Sequence, residues 1–349
     1  MNFISPPPTD PSPLFALFRS NYAMELLVAA VAHFHLFERF EGRALSFSEL
    51  QSALGLTERA ARVLLTGLRS LGLLEVTPDG HFILPESVRH HLVPGGDFYI
   101  GAYFSLAAEN PAVRGLVQRL RSSRPAEETS HGPGAAFIYR EGMESAMEVA
   151  DSARSLTLAL TGRARNVAPS LVAHLQFSPG EHLLDVGAGS GVYSLAALQA
   201  SPGLRVTALD RPEVLKIVEE FAEAGGVRDR LTLLPGDMFE TPLPAADAVL
   251  LSNVLHDWDV PECRALVERC ARVLRPGGRL LVHDAFLNDD FSGPLPVALY
   301  SVALFTLTEG RAYSRAEVVG WMEAAGLECG PVEPTLVHAG LLTGTVVRK

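Results

Sequence analysis

The stretch HLLDVGAGSGVY, residues 182–193, most constrains how this chain can fold. It is an apolar run that ends in Asp185 and Val186 and continues into three glycines that alternate with other residues. A buried strand that passes through a glycine-rich turn into a helix is a common place for a nucleotide-like ligand. The same turn can also join a strand to a helix with no ligand present, so the motif alone is weak evidence.

Short apolar runs of this kind recur along the second half of the chain, with helical segments between them. The runs read EHLLDV, LRVTALD, LTLLPGD, DAVLLSNV and RLLVHD. Strands that alternate with helices indicate a parallel sheet covered on both faces. We therefore predict a Rossmann-like, doubly wound α/β domain over residues 166–349, preceded by a mostly helical domain over residues 1–165.

The first domain carries the signals of a winged helix. Ser46 and Glu49 fit a capping box, Thr57 opens an amphipathic helix, and two short apolar runs flank the turn Pro78-Asp-Gly80. Winged helices bind DNA in many regulators, but they also serve as packing or dimerisation modules. The second helix offers Arg59, Arg62 and Arg69 for phosphates, but acidic residues lie among and after them, so we favour the second role.

The composition of the chain restricts the binding partners and the cellular compartment that we expect. The 29 basic and 40 acidic residues give a net charge of −11, and Lys216 and Lys349 are the only lysines, so we expect no nucleic-acid partner. Three cysteines without a CxxC pair argue against a disulfide framework or a zinc site and favour the cytoplasm. The proline-rich N-terminus is no signal peptide and predicts a mobile arm.

Two apolar stretches, residues 24–37 and 296–307, are too short or too interrupted to span a membrane and predict core helices. The first of them is apolar on nearly every side, which is hard to cover within a small domain. We therefore predict a two-fold homodimer built largely from the N-terminal half.

Two carboxylates strengthen the case for a ligand at the glycine turn. Asp210 ends the next apolar run, 19 residues after Gly191, where the diol of a ribose would meet an acceptor. Asp237, in Pro-Gly-Asp-Met-Phe, ends the third run, where it can accept from an adenine amino group while Met238 packs on the ring. Three successive strand ends therefore converge on one adenosine.

Six motifs in order then resemble a known family. They are LDVGAGSG, ALDRPEV, PGDMFE, SNVLHDWDVPEC, RPGGRLLVHDAFLND and TEGRAYSRAEVVGWMEAAGL. They are similar to S-adenosylmethionine-dependent O-methyltransferases of the acetylserotonin and plant caffeate type, whose bacterial relatives tailor aromatic natural products. The resemblance implies a class I methyltransferase domain that is preceded in the sequence by a winged-helix dimerisation domain. It further implies S-adenosylmethionine as cofactor without a metal, and a small aromatic acceptor.

The resemblance also assigns residues. His256, in the HDW motif, is the implied general base, Asp284 orients it, and the adjacent Asp257 can share this work. The implied cofactor residues are Asp185, Gly187, Gly189, Gly191, Asp210, Arg211, Gly236, Asp237, Met238, Phe239, Ser252 and Trp258. The implied acceptor pocket holds Phe104, Phe137, Met143, Met147, Tyr300 and Phe305, although aromatic stripes at helical spacing are more often core.

One departure from the family concerns the second acidic partner of the base. Many members carry a Gly-x-Glu-Arg-Thr stretch, whereas this chain reads Gly310-Arg-Ala-Tyr-Ser314 and places Ala312 at the acidic position. Glu309 is the nearest carboxylate in sequence. An N- or C-methyltransferase, another tailoring enzyme on the same fold and, from a different class, a winged-helix regulator stay open as alternatives.

Overall fold

The structure, a computed structural model, describes residues 1–123 and 150–347. The helices are α1 (Ser12–Arg19), α2 (Asn21–Val28), α3 (Phe47–Leu54), α4 (Glu58–Ser70), α5 (Glu86–Leu92), α6 (Gly101–Phe104), α7 (Pro111–Ser122), α8 (Ala150–Val172), α9 (Val192–Ala200), α10 (Pro212–Gly225), α11 (Val260–Arg272), α12 (Leu295–Leu307) and α13 (Arg315–Ala324). The strands are β1 (Glu75–Val76), β2 (Phe82–Ile83), β3 (His182–Val186), β4 (Arg205–Asp210), β5 (Leu231–Pro235), β6 (Ala246–Ser252), β7 (Leu274–Asp284), β8 (Phe286–Leu287), β9 (Tyr313–Ser314), β10 (Leu327–Pro334) and β11 (Gly340–Val346).

The α/β unit contains a seven-stranded sheet in the order β10-β11-β7-β6-β3-β4-β5. Strands β3 to β7 pair in parallel, and each coincides with one of the five predicted runs, so the Rossmann-like prediction is confirmed. The sheet also contains β10 and β11, which pair antiparallel beside β7 and were not predicted. Proline, glycine and charged residues interrupt the apolar pattern of β10, which removes the sequence signal of a strand.

Strand β3 lies at the point where the strand order reverses, with β4 on one side and β6 on the other. Ligands of such sheets bind outside the carboxyl ends of the strands at this position. The two faces of β3 explain its apolar run, because Leu183 packs into one core with α8, α9 and α10 and Leu184 packs into another with α11 and α13. The sheet therefore holds the glycine turn on a rigid support.

The helical unit contains the predicted winged helix. Ser46 and Glu49 make both hydrogen bonds of the capping box at the start of α3, and Thr57 caps α4 by accepting from Ala60 N–H. Strands β1 and β2 pair antiparallel and form the wing. Helix α12 belongs to the same unit, because its apolar residues lie in the core that α2 and α4 also form.

The three arginines of α4 are engaged inside this unit. Arg59 donates to the backbone carbonyls of Glu309 and Ser123, and Arg69 donates to Asp290 at 3.1 Å. The guanidinium group of Arg62 lies 4.1 Å from the ring centre of Phe47 and pairs with Glu58. A DNA backbone would therefore have to displace existing intrachain contacts at each of them.

The apolar stretch over residues 24–37 is not the uncovered surface that we predicted. Its side chains, Leu26, Val28 and Phe37 among them, are buried in the core of the helical unit, because helices of that unit pack around it. Within the stretch, α2 continues directly into a π-helical turn, Ala29–His33. Met24, 41% exposed, is an exception within the stretch, and the most exposed large apolar side chains lie outside it: Leu14, Leu17, Phe18, Phe98, Tyr103 and Leu106.

The continuous helical run Ser12–His33 is, by length and composition alone, apolar enough to cross a membrane. Its second half includes Leu26 and Val28, which are core residues of the helical unit. A core helix of this composition passes the same test, so the run is weak evidence for a membrane span. The expected lack of a membrane partner stays a prediction.

The N-terminal arm is anchored at its start, which corrects the predicted mobility there. The ring of Phe3 is 2% exposed, and its centre lies 6.3 Å from the ring centre of Phe221 on α10. Gln199 accepts from the backbone N–H of Phe3 at 2.8 Å and donates to the carbonyl of Met1. A buried aromatic ring and two backbone hydrogen bonds hold the first residues to the α/β unit.

Both units are discontinuous in sequence, whereas the predicted domains were contiguous. The described part of the α/β unit comprises residues 1–15, 150–286 and 313–347. The described part of the helical unit comprises residues 16–123 and 287–312. The sequence pattern could not show this, because α12 has the composition of a core helix in either unit.

Candidate active site

The glycine turn joins β3 to α9 with all three glycines in the left-handed region, at φ values of 73°, 56° and 71° for Gly187, Gly189 and Gly191. A Cβ atom on Gly187 would lie 2.9 Å from Val254, and one on Gly191 would lie 2.6 Å from Val218. A Cβ atom on Gly189 would meet nothing within 4 Å. Two glycines therefore serve close packing, and Gly189 borders the open space that a ligand can enter.

Asp210, at the end of β4, is tied to this turn. Its two carboxylate oxygens accept from the backbone N–H groups of Gly189 and Arg211, each at 2.7 Å. Burial raises the pKa of Asp210 to about 6, against the lowering effect of these two hydrogen bonds. The prediction that Asp210 stands beside the glycine turn agrees with this geometry.

Asp185, the last carboxylate of β3, is almost fully buried and accepts from the hydroxyl of Ser194 on α9. Burial and, to a smaller extent, the nearby charge of Asp210 raise the pKa of Asp185 to about 7, against the lowering effect of the Ser194 hydrogen bond. Its contact is with the helix that follows the turn, so Asp185 fixes the turn to α9.

Asp237 and Arg211, both predicted cofactor residues, bind each other. The Arg211 guanidinium group donates to one oxygen of Asp237 at 2.7 Å, and the N–H of Phe239 donates to the other at 2.6 Å. A Cβ atom on Gly236 would lie 1.9 Å from the hydroxyl oxygen of Thr241, so only glycine fits there. The carboxylate is thereby held in one orientation at the end of β5.

Apolar groups flank these carboxylates. The Met238 methyl carbon lies 3.8 Å from the Cβ position of Gly187, which places it beside the glycine turn. The rings of Phe239 and Trp258 meet edge to face with centres 4.7 Å apart. The strand ends therefore combine fixed hydrogen-bond acceptors with an apolar edge, as a purine nucleoside requires.

His256 lies in a single helical turn, Leu255–Asp257, shortly after the end of β6. Its Nδ1 atom is 2.5 Å from Oδ1 of Asp284, and both side chains are buried. Oδ1 of Asp284 also accepts from the N–H of Ala285 at 2.7 Å. Burial opposes ionisation of Asp284, but the charge of His256 and these hydrogen bonds outweigh it and hold its pKa below the ordinary value.

Asp257 lies on the other side of the imidazole. Its Oδ1 atom is 3.7 Å from Nε2 of His256, which is beyond hydrogen-bond distance. Burial raises the pKa of Asp257 to about 6, although His256 acts in the opposite direction. The histidine therefore has one carboxylate within hydrogen-bond distance of Nδ1 and a second, more distant carboxylate near Nε2.

The position where the family carries an acidic residue is filled by a buried alanine. Ala312 is 0% exposed, and its N–H donates to the hydroxyl of Ser301. Glu309, the nearest candidate in sequence, lies 4.0 Å from Arg59 in the helical unit. Its carboxylate already faces an arginine there.

The predicted pocket residues fall into two groups. Phe104, Tyr300 and Phe305 belong to the helical unit, where Phe305 is 2% exposed in the core and the guanidinium group of Arg19 lies 3.6 Å from the ring centre of Tyr300. Phe137, Met143 and Met147 lie outside the described residues. Their common role in an acceptor pocket stays a prediction.

The sequence reasoning missed a buried polar chain next to Ser252. The hydroxyl of Ser252 is 2.8 Å from Nδ1 of His283, whose Nε2 is 3.0 Å from the hydroxyl of Thr335. Burial lowers the pKa of His283 to about 3, which keeps this imidazole neutral. Asn253 extends the chain by donating to Tyr193 on α9. The adjacent polar pair Ser252-Asn253 at a strand end was the available signal.

Known proteins match the chain along most of its length. Residues 123–328 match the O-methyltransferase domain family. The 3-hydroxy-5-methyl-1-naphthoate 3-O-methyltransferase of Streptomyces sahachiroi is 32% identical over 92% of this chain and 90% of its own length. An O-methyltransferase family 2 protein from Planctomyces limnophilus, solved with apigenin, is 46% identical over 99% of both chains, with a TM-score of 0.89.

A more distant structure has the same fold. Human N-acetylserotonin methyltransferase, solved with S-adenosylmethionine, is 21% identical over 96% of this chain and 97% of its own, with a TM-score of 0.60. The family match covers more than half of the chain, and the bacterial relatives align over nearly all of it. The chain therefore belongs to the O-methyltransferase family and is an O-methyltransferase.

Proposed function

We propose that this enzyme methylates a phenolic hydroxyl group of a small aromatic acceptor, with His256 as the general base. The observation that carries the proposal is the buried 2.5 Å contact between His256 Nδ1 and Asp284 at the carboxyl edge of the sheet. The aromatic acceptor is supported by relatives that are named for a hydroxynaphthoate and solved with apigenin.

The methyl donor is S-adenosylmethionine, and the residues at the strand ends fit it. In this proposal Asp210 accepts from the ribose diol and Asp237 accepts from the adenine amino group, which is supported by their fixed carboxylates and by the open space at Gly189. Arg211 shares Asp237, which fixes that carboxylate before the ligand arrives. When bound, S-adenosylmethionine supplies a methyl group on a positively charged sulfur that an oxygen nucleophile can attack in line.

The proton of the acceptor hydroxyl group is received by His256. Because Nδ1–H donates to Asp284, the lone pair of the neutral imidazole lies on Nε2, which is the ring atom that can accept this proton. Asp284 then stabilises the imidazolium ion, as a carboxylate at Nδ1 does in other histidine bases. Asp257, 3.7 Å from Nε2, adds a second negative charge near that ion.

The pH–rate profiles of wild type and His256→Ala with one phenolic acceptor test the base. We expect the variant to bind S-adenosylhomocysteine normally and to turn over about 10²–10⁴-fold more slowly near neutral pH. The loss should shrink as the pH approaches the acceptor's own pKa, because ionisation in solvent then replaces the histidine. Equal turnover of both proteins at every pH refutes the general-base role.

A panel of hydroxylated, aminated and carbon-nucleophile aromatic acceptors with labelled cofactor identifies the acceptor class. We expect label on oxygen and turnover only with hydroxylated members. Label on nitrogen or carbon contradicts the proposed acceptor and favours the N- or C-methyltransferase alternative.

We also infer a homodimer in the cytoplasm. The support for the dimer is a set of exposed apolar side chains on the first helices and on the segment near α6, with Phe18 81% and Leu106 82% exposed. Large apolar side chains at such exposure mark interaction surfaces when they are grouped. The support for the compartment is that Cys263, Cys270 and Cys329 are free thiols.

A further inference from the structure

The carboxamide of Asn253 occupies an unusual position directly after β6, three residues before His256. Its backbone is in the left-handed region at φ 57°, and its N–H donates to the carbonyl of His283 at 2.8 Å. Non-glycine residues held in this conformation concentrate at functional sites. The fold therefore fixes the backbone of Asn253 in a conformation that aims its side chain.

The NH₂ group and the carbonyl oxygen of this carboxamide differ in their hydrogen bonding. Its NH₂ group donates to the hydroxyl of Ser252 at 3.1 Å and to that of Tyr193 at 3.3 Å. Its Oδ1 atom is buried and has no hydrogen-bond partner among the residues that the structure describes. A buried carbonyl oxygen without a donor is costly, so a ligand with an N–H or O–H group would complete it.

The sheet order indicates which part of the cofactor reaches Asn253. The adenosine acceptors Asp210 and Asp237 follow β4 and β5, the glycine turn follows β3, and Asn253 follows β6. Adjacent strands are about 4.8 Å apart, so β6 is about 10 Å from β4 along this edge. A molecule whose adenosine lies at β4 and β5 and whose sulfur passes the glycine turn has its amino-acid end at β6.

The amino-acid end of S-adenosylmethionine offers an α-ammonium group and an α-carboxylate. Only the ammonium group can donate to Oδ1, since a carboxylate is an acceptor. We propose that Oδ1 of Asn253 accepts a hydrogen bond from the α-ammonium group of S-adenosylmethionine, an assignment that rests on the proposed cofactor.

Calorimetry with two ligands tests this contact. One ligand is S-adenosylhomocysteine, and the other is its analogue in which hydrogen replaces the α-amino group. Asn253→Gly removes the carboxamide while tolerating the positive φ, and Asn253→Asp keeps an acceptor oxygen. Asn166→Ala is the matched control, because that carboxamide donates to Gly162 on α8.

We expect loss of the amino group to weaken binding about 10- to 100-fold in wild type, Asn166→Ala and Asn253→Asp, the usual range for a charge-assisted hydrogen bond. In Asn253→Gly, removal of the amino group should weaken binding by about threefold or less, because the carboxamide that accepts from it is absent. If wild type and Asn253→Gly both bind S-adenosylhomocysteine tightly and lose the same affinity when the α-amino group is removed, the role of Asn253 is overturned but the cofactor is not. No binding to wild type contradicts the proposed cofactor itself.

Discussion

At the scale of single residues, the proposed chemistry depends on one carboxylate, which determines the tautomer of one imidazole. Asp284 accepts from Nδ1 of His256, so the tautomer with its lone pair on Nε2 is favoured. Asp284→Asn keeps the shape of the side chain but can donate to Nδ1 and favour the other tautomer. We expect kcat to fall about 10²–10⁴-fold while the Kd for S-adenosylhomocysteine stays unchanged.

Steady-state kinetics and calorimetry on Asp284→Asn check this expectation. Asp229→Asn, on the exposed turn Arg228–Arg230, is the matched control and should behave as wild type. A normal kcat in Asp284→Asn shows that the carboxylate does not position the base.

Asp210 predicts a pH dependence of cofactor affinity. Its raised pKa, about 6, means that the carboxyl group of the free protein gains a proton as the pH falls through that value. The protonated form loses acceptor capacity toward the ribose diol, so the Kd for S-adenosylhomocysteine should rise below about pH 6 and stay level above it. Calorimetry between pH 5 and 8 measures the trend, and Asp210→Asn should bind weakly with a flatter profile. A flat wild-type profile contradicts the assignment.

The sequence could locate these residues but not their partners. The glycine turn, Asp210 and Asp237 follow apolar runs, so their place at one sheet edge is predictable from strand pattern. The pairing of Arg211 with Asp237, and the unmet oxygen of Asn253, arise from side-chain packing between separate strand ends. No local pattern encodes such contacts.

At the scale of elements, the turn between β3 and α9 can be tested by comparing two glycines. Gly191 and Gly226 have φ values of 71° and 69°, but only at Gly191 would a Cβ atom meet a side chain, Val218, at 2.6 Å. Alanine at either position incurs the backbone strain of about 1–2 kcal/mol. Gly191→Ala should cost a further 1–3 kcal/mol or so from overpacking.

Thermal and denaturant unfolding of both variants measure the difference. Gly191→Ala should have the lower midpoint and also weaker S-adenosylhomocysteine binding, because the turn must shift to relieve the contact. Equal midpoints for the two variants contradict the packing role of Gly191.

Element prediction succeeded where periodicity was clear and failed where it was not. The five parallel strands are buried on both faces and read as apolar runs, whereas β10 mixes glycine, proline and glutamate. The stretch over residues 24–37 was identified correctly as apolar, but its composition could not show whether its own unit or a second chain covers it. That choice depends on tertiary packing.

At the scale of the whole molecule, the proposed dimer predicts that charged substitutions at its interface give a monomer. Phe18 and Leu106 are the most exposed large apolar side chains among the described residues. Light scattering of wild type should give about twice the chain mass of 37.5 kDa at micromolar concentration. Phe18→Asp with Leu106→Asp should give the monomer, because unpaired charges would be buried at the interface.

Val347→Asp is the control, since that side chain is 54% exposed near the end of the described residues. It should remain dimeric. A wild-type monomer contradicts the dimer, and a dimer that survives the double substitution removes these two residues from the interface.

The discontinuity of both units has a consequence for synthesis on the ribosome. The core of the helical unit includes Leu299, Val302 and Phe305, so it cannot be completed until these residues are synthesised, long after residue 123 has left the ribosome. The core of the α/β unit likewise joins Phe3 to residues of β11, the last strand to be synthesised. A chain that stopped after residue 312 would lack β10 and β11 and leave β7 as the sheet edge. Its unpaired backbone groups would then be open to pairing with another nascent chain, so a late truncation should aggregate rather than simply lose activity.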